Sequence, residues 1–257
     1  MRKILHILAV VSVFASCAKS YHVEGSSSIS ALDGSKLYLK AIKNGELKNI
    51  DSCDVVHGEF QFAGLLDTVR MVSLYMDDES IMPLVLEEGN IVVKIDNAIQ
   101  SVSGTPLNDS LYKFIDKHNQ LANQMAELSH RQSQMLLDGI DEQQINRQLN
   151  SEAARITAEE DQLVTTFIVN NFDNVLGPGV FMMITSQYRY PLLTPQIEDI
   201  MSKASKKFKE DPYVKDYYQT AQENEQRMNG LSETAEAPID TMVSKTPATP
   251  LLNMPKP

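Results

Sequence analysis

Ile-Val-Val-Lys-Ile-Asp-Asn-Ala-Ile-Gln-Ser-Val-Ser-Gly-Thr-Pro-Leu-Asn-Asp-Ser-Leu-Tyr-Lys-Phe, residues 91–114, is where the chain changes its period. Up to Val102 the apolar residues keep the short alternation of half-buried strands. From Thr105 they recur in steps of three and four, the spacing that keeps one stripe on one face of a helix. The boundary falls at about residue 104. Toward the N-terminus everything from Tyr21 reads as β. Lys36-Leu-Tyr-Leu-Lys-Ala-Ile42 alternates with period two and runs into Asn44-Gly45, a strong hairpin signal. Glu59-Phe-Gln-Phe62 alternates again after a turn at His57-Gly58, and Val69–Met76 makes a longer strand. Met82–Leu86 and Ile91–Ile95 flank a turn at Glu87-Glu88-Gly89-Asn90, and Ile99–Val102 closes the set. Seven or eight short strands predict a small antiparallel sandwich or barrel.

Toward the C-terminus, Leu107, Leu111, Phe114, His118, Leu121, Met125, Leu128, Gln132 and Met135 form a heptad-like seam with two polar members. Asp138-Gly-Ile-Asp141 breaks that helix. A second follows through Ile145, Leu149, Ala153, Ile156, Leu163 and Phe167, with Glu152, Arg155, Glu159 and Glu160 as its charged face. Two long helices joined by a short turn predict an antiparallel hairpin. Leu176-Gly-Pro-Gly179 reads as a break, with a short buried helix from Val180 to Ile184. Thr194-Pro195 and Asp211-Pro212 are cap-then-proline starts of further short helices. The fold class expected is therefore α+β.

The first residues carry an address. Arg2 and Lys3 precede an apolar run from Ile4 to Phe14, too short to span a bilayer, and Ala15-Ser16-Cys17 follows. This is the anatomy of a signal peptide ending in a lipobox, although Phe14 stands where Leu or Val is usual. The expectation is cleavage before Cys17 and lipid, palmitate included, on that cysteine. The organisation read from the sequence is then a signal peptide over 1–16, an anchor linker over 17–20, a β-rich domain over 21–104, an α-helical region over 105–229 and a disordered Thr-, Ala- and Pro-rich tail over 230–257. With Cys17 acylated, Cys53 has no disulfide partner in the chain. It lies in an alternating stretch with acidic neighbours that raise a thiol's pKa, so it reads as structural and only secondarily as a reactive thiol.

The formal net charge of −11 argues against nucleic acid as a partner. There is no Cys-x-x-Cys, no His-Glu-x-x-His, no glycine-rich phosphate loop and no Gly-x-Ser-x-Gly elbow, so no catalytic residue, metal ligand or cofactor is assigned. His118 reads as a packed seam histidine bonded to a neighbour. Asp77-Asp78-Glu79 and Glu87-Glu88 read as solvated turns. Tyr188, Tyr190, Tyr213, Tyr217 and Tyr218 read as helix packing, and Met182 and Met183 as core.

Six phrases in order carry a resemblance: Tyr21-His-Val-Glu-Gly25, Leu37-Tyr-Leu39, Ile50-Asp-Ser52, Val56-His-Gly-Glu-Phe-Gln-Phe-Ala-Gly64, Pro83-Leu-Val-Leu-Glu-Glu-Gly89 and Val102-Ser-Gly-Thr-Pro-Leu-Asn108. Together they resemble the β-rich N-terminal domain of unknown function of Bacteroides-group envelope lipoproteins. In many of those a helical linker and a thioredoxin-like domain follow. Here Gly230–Pro257 stands where that domain would begin, so the relatives' redox activity has no residues to carry over. What the resemblance implies is fold and address: a lipid-anchored protein of the cell envelope, at the periplasmic face of the outer membrane. The functional expectation is a non-enzymatic binding or scaffolding module. It would be attached to the membrane through Cys17 and engaged with an unidentified envelope protein, in an oligomeric state the sequence leaves open. The rivals are an accessory of thiol–disulfide homeostasis acting through Cys53, and a small-ligand-binding lipoprotein.

Overall fold

Two aromatic rings laid across two glycines hold the first strand pair. The structure, a computed structural model, describes residues 19–43 and 45–230. In it β1 (Ser20–Ser27) runs antiparallel to β4 (Glu59–Leu65), which sets Tyr21 opposite Gly64 and Phe60 opposite Gly25. A Cβ on Gly25 would lie 2.0 Å from the Phe60 ring, and one on Gly64 would lie 2.6 Å from the Tyr21 hydroxyl. Each ring covers bare backbone on the facing strand, a cross-strand pairing that only glycine permits.

The remaining strands are β2 (Lys36–Lys43), β3 (Glu46–Asp54), β5 (Arg70–Met76), β6 (Glu79–Leu86), β7 (Gly89–Ile95) and β8 (Gln100–Ser103). They form two four-stranded sheets, in the orders β4-β1-β7-β8 and β3-β2-β5-β6. The expected small sandwich is thus observed, with one addition. β1 and β7 pair in parallel, Val23 opposite Ile91, while every other pair is antiparallel. After β1 the chain departs to build the second sheet and returns to lie beside its own start. Period-two alternation is the same in both pairing modes, so the sequence pattern carries no mark of this. The inner faces meet through Val23, Phe62, Ile91 and Val93 on one side and Leu37, Leu39, Leu74 and Leu84 on the other, all buried. At the His57-Gly58 turn both residues take positive φ, 54° and 76°, as a two-residue hairpin requires. Gly45, with φ 76°, completes the β2–β3 hairpin; Asn44 lies outside the described residues.

The helices are α1 (Pro106–Leu137), α2 (Glu142–Asn170), α3 (Leu176–Thr185), α4 (Pro195–Lys203), α5 (Lys206–Lys209) and α6 (Pro212–Met228). Thr194 and Asp211 cap α4 and α6 as their Pro-following pattern predicts, each accepting from backbone N–H groups of the first turn. Leu176-Gly-Pro-Gly179 is no break: it is the first turn of α3. Gly179 sits where a Cβ would fall 1.8 Å from Met71 Sδ, so glycine here allows close packing of α3 on β5.

α1 starts differently from α4 and α6. Thr105 stands at its N-cap, but its side chain accepts from no backbone N–H. Glu87, from the β6–β7 turn, takes that role: its Oε1 accepts from Leu107 N at 2.8 Å and Asn108 N at 3.1 Å. The amide of Asn108 pairs with the free edge of β6, donating to Val85 O at 2.8 Å and accepting from Val85 N at 2.8 Å. It also donates to Thr105 Oγ1 at 2.8 Å. One turn on, the Tyr112 hydroxyl donates to Pro83 O at 2.9 Å. Since Asn108 meets Val85 and Tyr112 meets Pro83, α1 runs antiparallel to β6. At 1.5 Å per residue its 32 residues span about 48 Å. The 8-residue strand beside it spans about 27 Å, so the helix outruns the sandwich. The main core is continuous from the sheets through the start of α1, the end of α2 and α3–α6. The far half of the hairpin has a small core of its own, made by Leu121, Leu128, Ile145, Leu149 and Ile156.

Asn108→Ala strands both polar groups of Val85 in a buried position. It should lower stability by about 2 kcal/mol or more in urea titration. An unchanged midpoint would mean that apolar contact alone docks the helix.

Candidate functional site

The described residues begin two positions after Cys17. The expected signal peptide, Cys17 itself and all of the expected 230–257 tail except Gly230 lie outside them. Lys19 is already tied to the sandwich: its carbonyl accepts from Leu66 N at 2.8 Å and its Nζ lies 3.6 Å from Glu88. Ser20 then pairs with Leu65. Lys19 is therefore next to the β4 end, the 66–69 loop and the β6–β7 turn.

Cys53 lies on β3, an outer strand with no fully buried residue. Its thiol is half-buried and pushed up to about 11, chiefly by burial; Asp51 and Asp54 add to this, while the Gln61 backbone N–H works against it. The expected acidic effect is present but secondary. Beside it, Asp51 accepts from the Tyr21 hydroxyl at 3.0 Å, a bond from the first sheet to the outer strand of the second. Burial first, then the Asp51 charge, pushes that hydroxyl up to about 12.

The two acidic clusters part ways. Asp77, Asp78 and Glu79 are exposed, with Lys40 Nζ donating to Asp77 O at 2.9 Å. Glu88 is exposed as well, but Glu87 is only 7% exposed and caps α1. The solvated-turn reading of Glu87 is corrected by partners twenty residues downstream that no local pattern reveals.

In the hairpin, His118 Nε2 lies 3.0 Å from Glu160 Oε1, and its ring packs against Phe114 at 5.9 Å between centroids. His118 Nδ1 is buried without a hydrogen-bond partner. The bond holds the Glu160 carboxyl below its usual value. Arg131 reaches Glu152 at 2.9 Å. Glu152 and Glu160 therefore bridge to α1, where the sequence pattern assigns them to a solvent face with Arg155 and Glu159. The polar members of a seam draw polar partners from the facing helix. Of the tyrosines, Tyr213 and Tyr217 stack at 6.2 Å and pack on Phe181, and Tyr217 Oη bonds both polar groups of Leu192. Tyr188 and Tyr190 remain exposed. Met183 is buried and Met182 half-buried. Among the described residues no group of three or more His, Cys, Asp and Glu side chains could hold a metal ion.

Sequence reasoning missed Asn108, Gly25 and Gly64. The glycines had a signal: Tyr21 precedes Gly25 by four and Phe60 precedes Gly64 by four, and an antiparallel register makes these reciprocal pairs.

Residues 21–111 match the family model described as Domain of unknown function (DUF4369). The matched span takes in the eight described strands, save Ser20 at the start of β1, and the first turns of α1; Glu87 and Asn108 lie within it. None of the curated proteins searched matches the chain.

Two measurements probe these groups. Because Glu160 has a depressed folded-state pKa, its contribution is present above its ordinary 4.5 and fades as pH falls through the lower folded value. Glu160→Gln should therefore lower the urea midpoint at pH 7 and converge with wild type in acid; parallel curves at every pH would exclude a charge effect. Cys53 should react with a thiol reagent much more slowly in the native than in the urea-unfolded protein at pH 8, and equal rates would show an open thiol.

Proposed function

We propose that this chain is an envelope lipoprotein. In this reading it is acylated on Cys17 after removal of residues 1–16 and held at the periplasmic face of the outer membrane. The sandwich serves as a stand and the α1–α2 hairpin as a non-enzymatic arm that binds a second envelope protein. The basic start, short apolar run and Ala15-Ser16-Cys17 support the anchor. Among the described residues no helix is long and apolar enough to cross a membrane, so in this reading attachment falls to the lipid.

The observation that carries the binding arm is the tip of the hairpin. Beyond the small core of Leu121, Leu128, Ile145, Leu149 and Ile156, α1 ends on Leu136 and Leu137, which are 51% and 87% exposed. A leucine pair at the end of a projecting hairpin is costly to leave in water and is the kind of apolar anchor that interfaces use. The resemblance to lipoproteins bearing a thioredoxin-like domain supplies the alternative, a redox accessory working through Cys53. The half-buried, protonated state of that thiol weighs against it.

Cys17→Ser should abolish palmitate labelling and release the protein from membranes; persistent labelling would relocate the anchor. A photoreactive residue in place of Leu137 should give a discrete adduct in intact cells, lost when Leu136 is also replaced by Ser. Absence of any discrete adduct from the tip would remove the hairpin as the binding arm.

A further inference from the structure

The two ends of the sandwich differ. At one end lie Lys19, the 66–69 loop after Leu65, the β6–β7 turn and the β2–β3 hairpin, since Ser20 pairs with Leu65, Arg70 with Leu86 and Ile42 with Leu47. Leu65 is 77% exposed there, and Val69, Ile42 and Leu47 are also exposed. Charges at this end balance: Lys19, Lys43, Lys48 and Arg70 stand among the exposed carboxylates Glu46, Asp67, Glu88 and Asp109. Lys19 reaches Glu88, Lys48 reaches Glu46 and Arg70 reaches Asp67. The opposite end is acidic. Its turns and strand ends expose Asp33, Asp54, Glu59, Asp77, Asp78 and Glu79, which outnumber Lys36, Lys94 and the Lys40 ammonium. The apolar Val56 and Ile99 at that end sit among these carboxylates.

We infer that the end of the sandwich carrying Lys19 is a membrane-contacting surface, with Leu65, Val69, Ile42 and Leu47 in the lipid headgroup layer. This rests on the lipid at Cys17. Only Ala18 separates Cys17 from Lys19, and the two residue steps reach roughly 7 Å at full extension. A headgroup layer is roughly 5–7 Å deep on each side of the bilayer. The tether is therefore too short to hold the sandwich clear of the surface, and the end it is tied to must meet the headgroups. That end offers apolar side chains and balanced charge, whereas the acidic end would be repelled by anionic lipid. α1 runs antiparallel to β6, so it starts at this end and carries Leu136 and Leu137 away from the bilayer.

The chain contains no tryptophan, so one introduced indole reports alone. The test uses the lipidated full chain in vesicles of phosphatidylethanolamine with a minority of phosphatidylglycerol, the acyl chains brominated near the carbonyl. Palmitate labelling of each sample is scored first. Leu65→Trp and Val69→Trp should show blue-shifted emission and strong quenching by the brominated lipid, and Ile99→Trp neither. Quenching of Ile99→Trp in preference to Leu65→Trp would invert the orientation and overturn the inference. So would no quenching at any position in protein that is labelled and vesicle-bound. A sample without palmitate label would instead overturn the anchor reading itself, and this surface with it.

Discussion

Glu87 accepts hydrogen bonds from Leu107 N and Asn108 N, and Asn108 in turn pairs with both polar groups of Val85. Two problems are settled at one place. The edge of β6 would otherwise present unpaired backbone, and the first N–H groups of α1 would otherwise be buried without acceptors. A carboxylate at a helix N-terminus is also favoured by the helix dipole, which offsets part of the cost of burying it. Because the contact is hydrogen-bonded at both residues, it sets position and direction together. The start of α1 is held against β6, and every later helix packs relative to that start.

A second constraint acts within the sandwich. The β1–β4 pair works only if Gly25 and Gly64 lack side chains, because Phe60 and Tyr21 fill the space above them. Tyr21 then extends past Gly64 to bond Asp51 on β3. A ring on an inner strand of one sheet thereby holds the outer strand of the other. β3 itself has little burial to hold it, so this polar contact matters more there than it would in the core.

Most of the architecture was legible before any coordinates. Local period and turn chemistry revealed the strands, the helical hairpin and the capped starts of α4 and α6, since each of these is decided by residues near one another in the chain. What was not legible depends on long-range partners. Glu87 looks like any acidic turn until Asn108 is brought beside it. The parallel pairing of β1 and β7 leaves no trace in an alternating pattern. Gly177 and Gly179 read as a break because glycine signals close approach and chain reversal alike, and the neighbours that distinguish them, the Asn171 carbonyl against Gly177 and Met71 over Gly179, appear only in the fold. His118 was legible as a polar seam residue, but its partner Glu160 was not, because a helix's charged face and its inward polar contacts share one periodicity. Of the proposed sites, Cys53 was placed correctly on a strand. Its raised pKa, though, comes mainly from burial, which sequence alone does not quantify.

The same geometry gives the molecule a direction. The chain enters the sandwich at Lys19, and α1 leaves the sandwich from that same end, beside the β6–β7 turn. Antiparallel packing on β6 then sends the helix the full length of the sheet and beyond it. Lys19 and the hairpin tip are thereby set at opposite ends of the fold. Reversing α1 would require a different partner for the edge of β6, because the Asn108 amide satisfies Val85 only one turn before Tyr112 reaches Pro83. One buried polar contact, made within the span that matches the domain family, therefore separates the end of the molecule that carries Lys19 from the end that exposes Leu136 and Leu137.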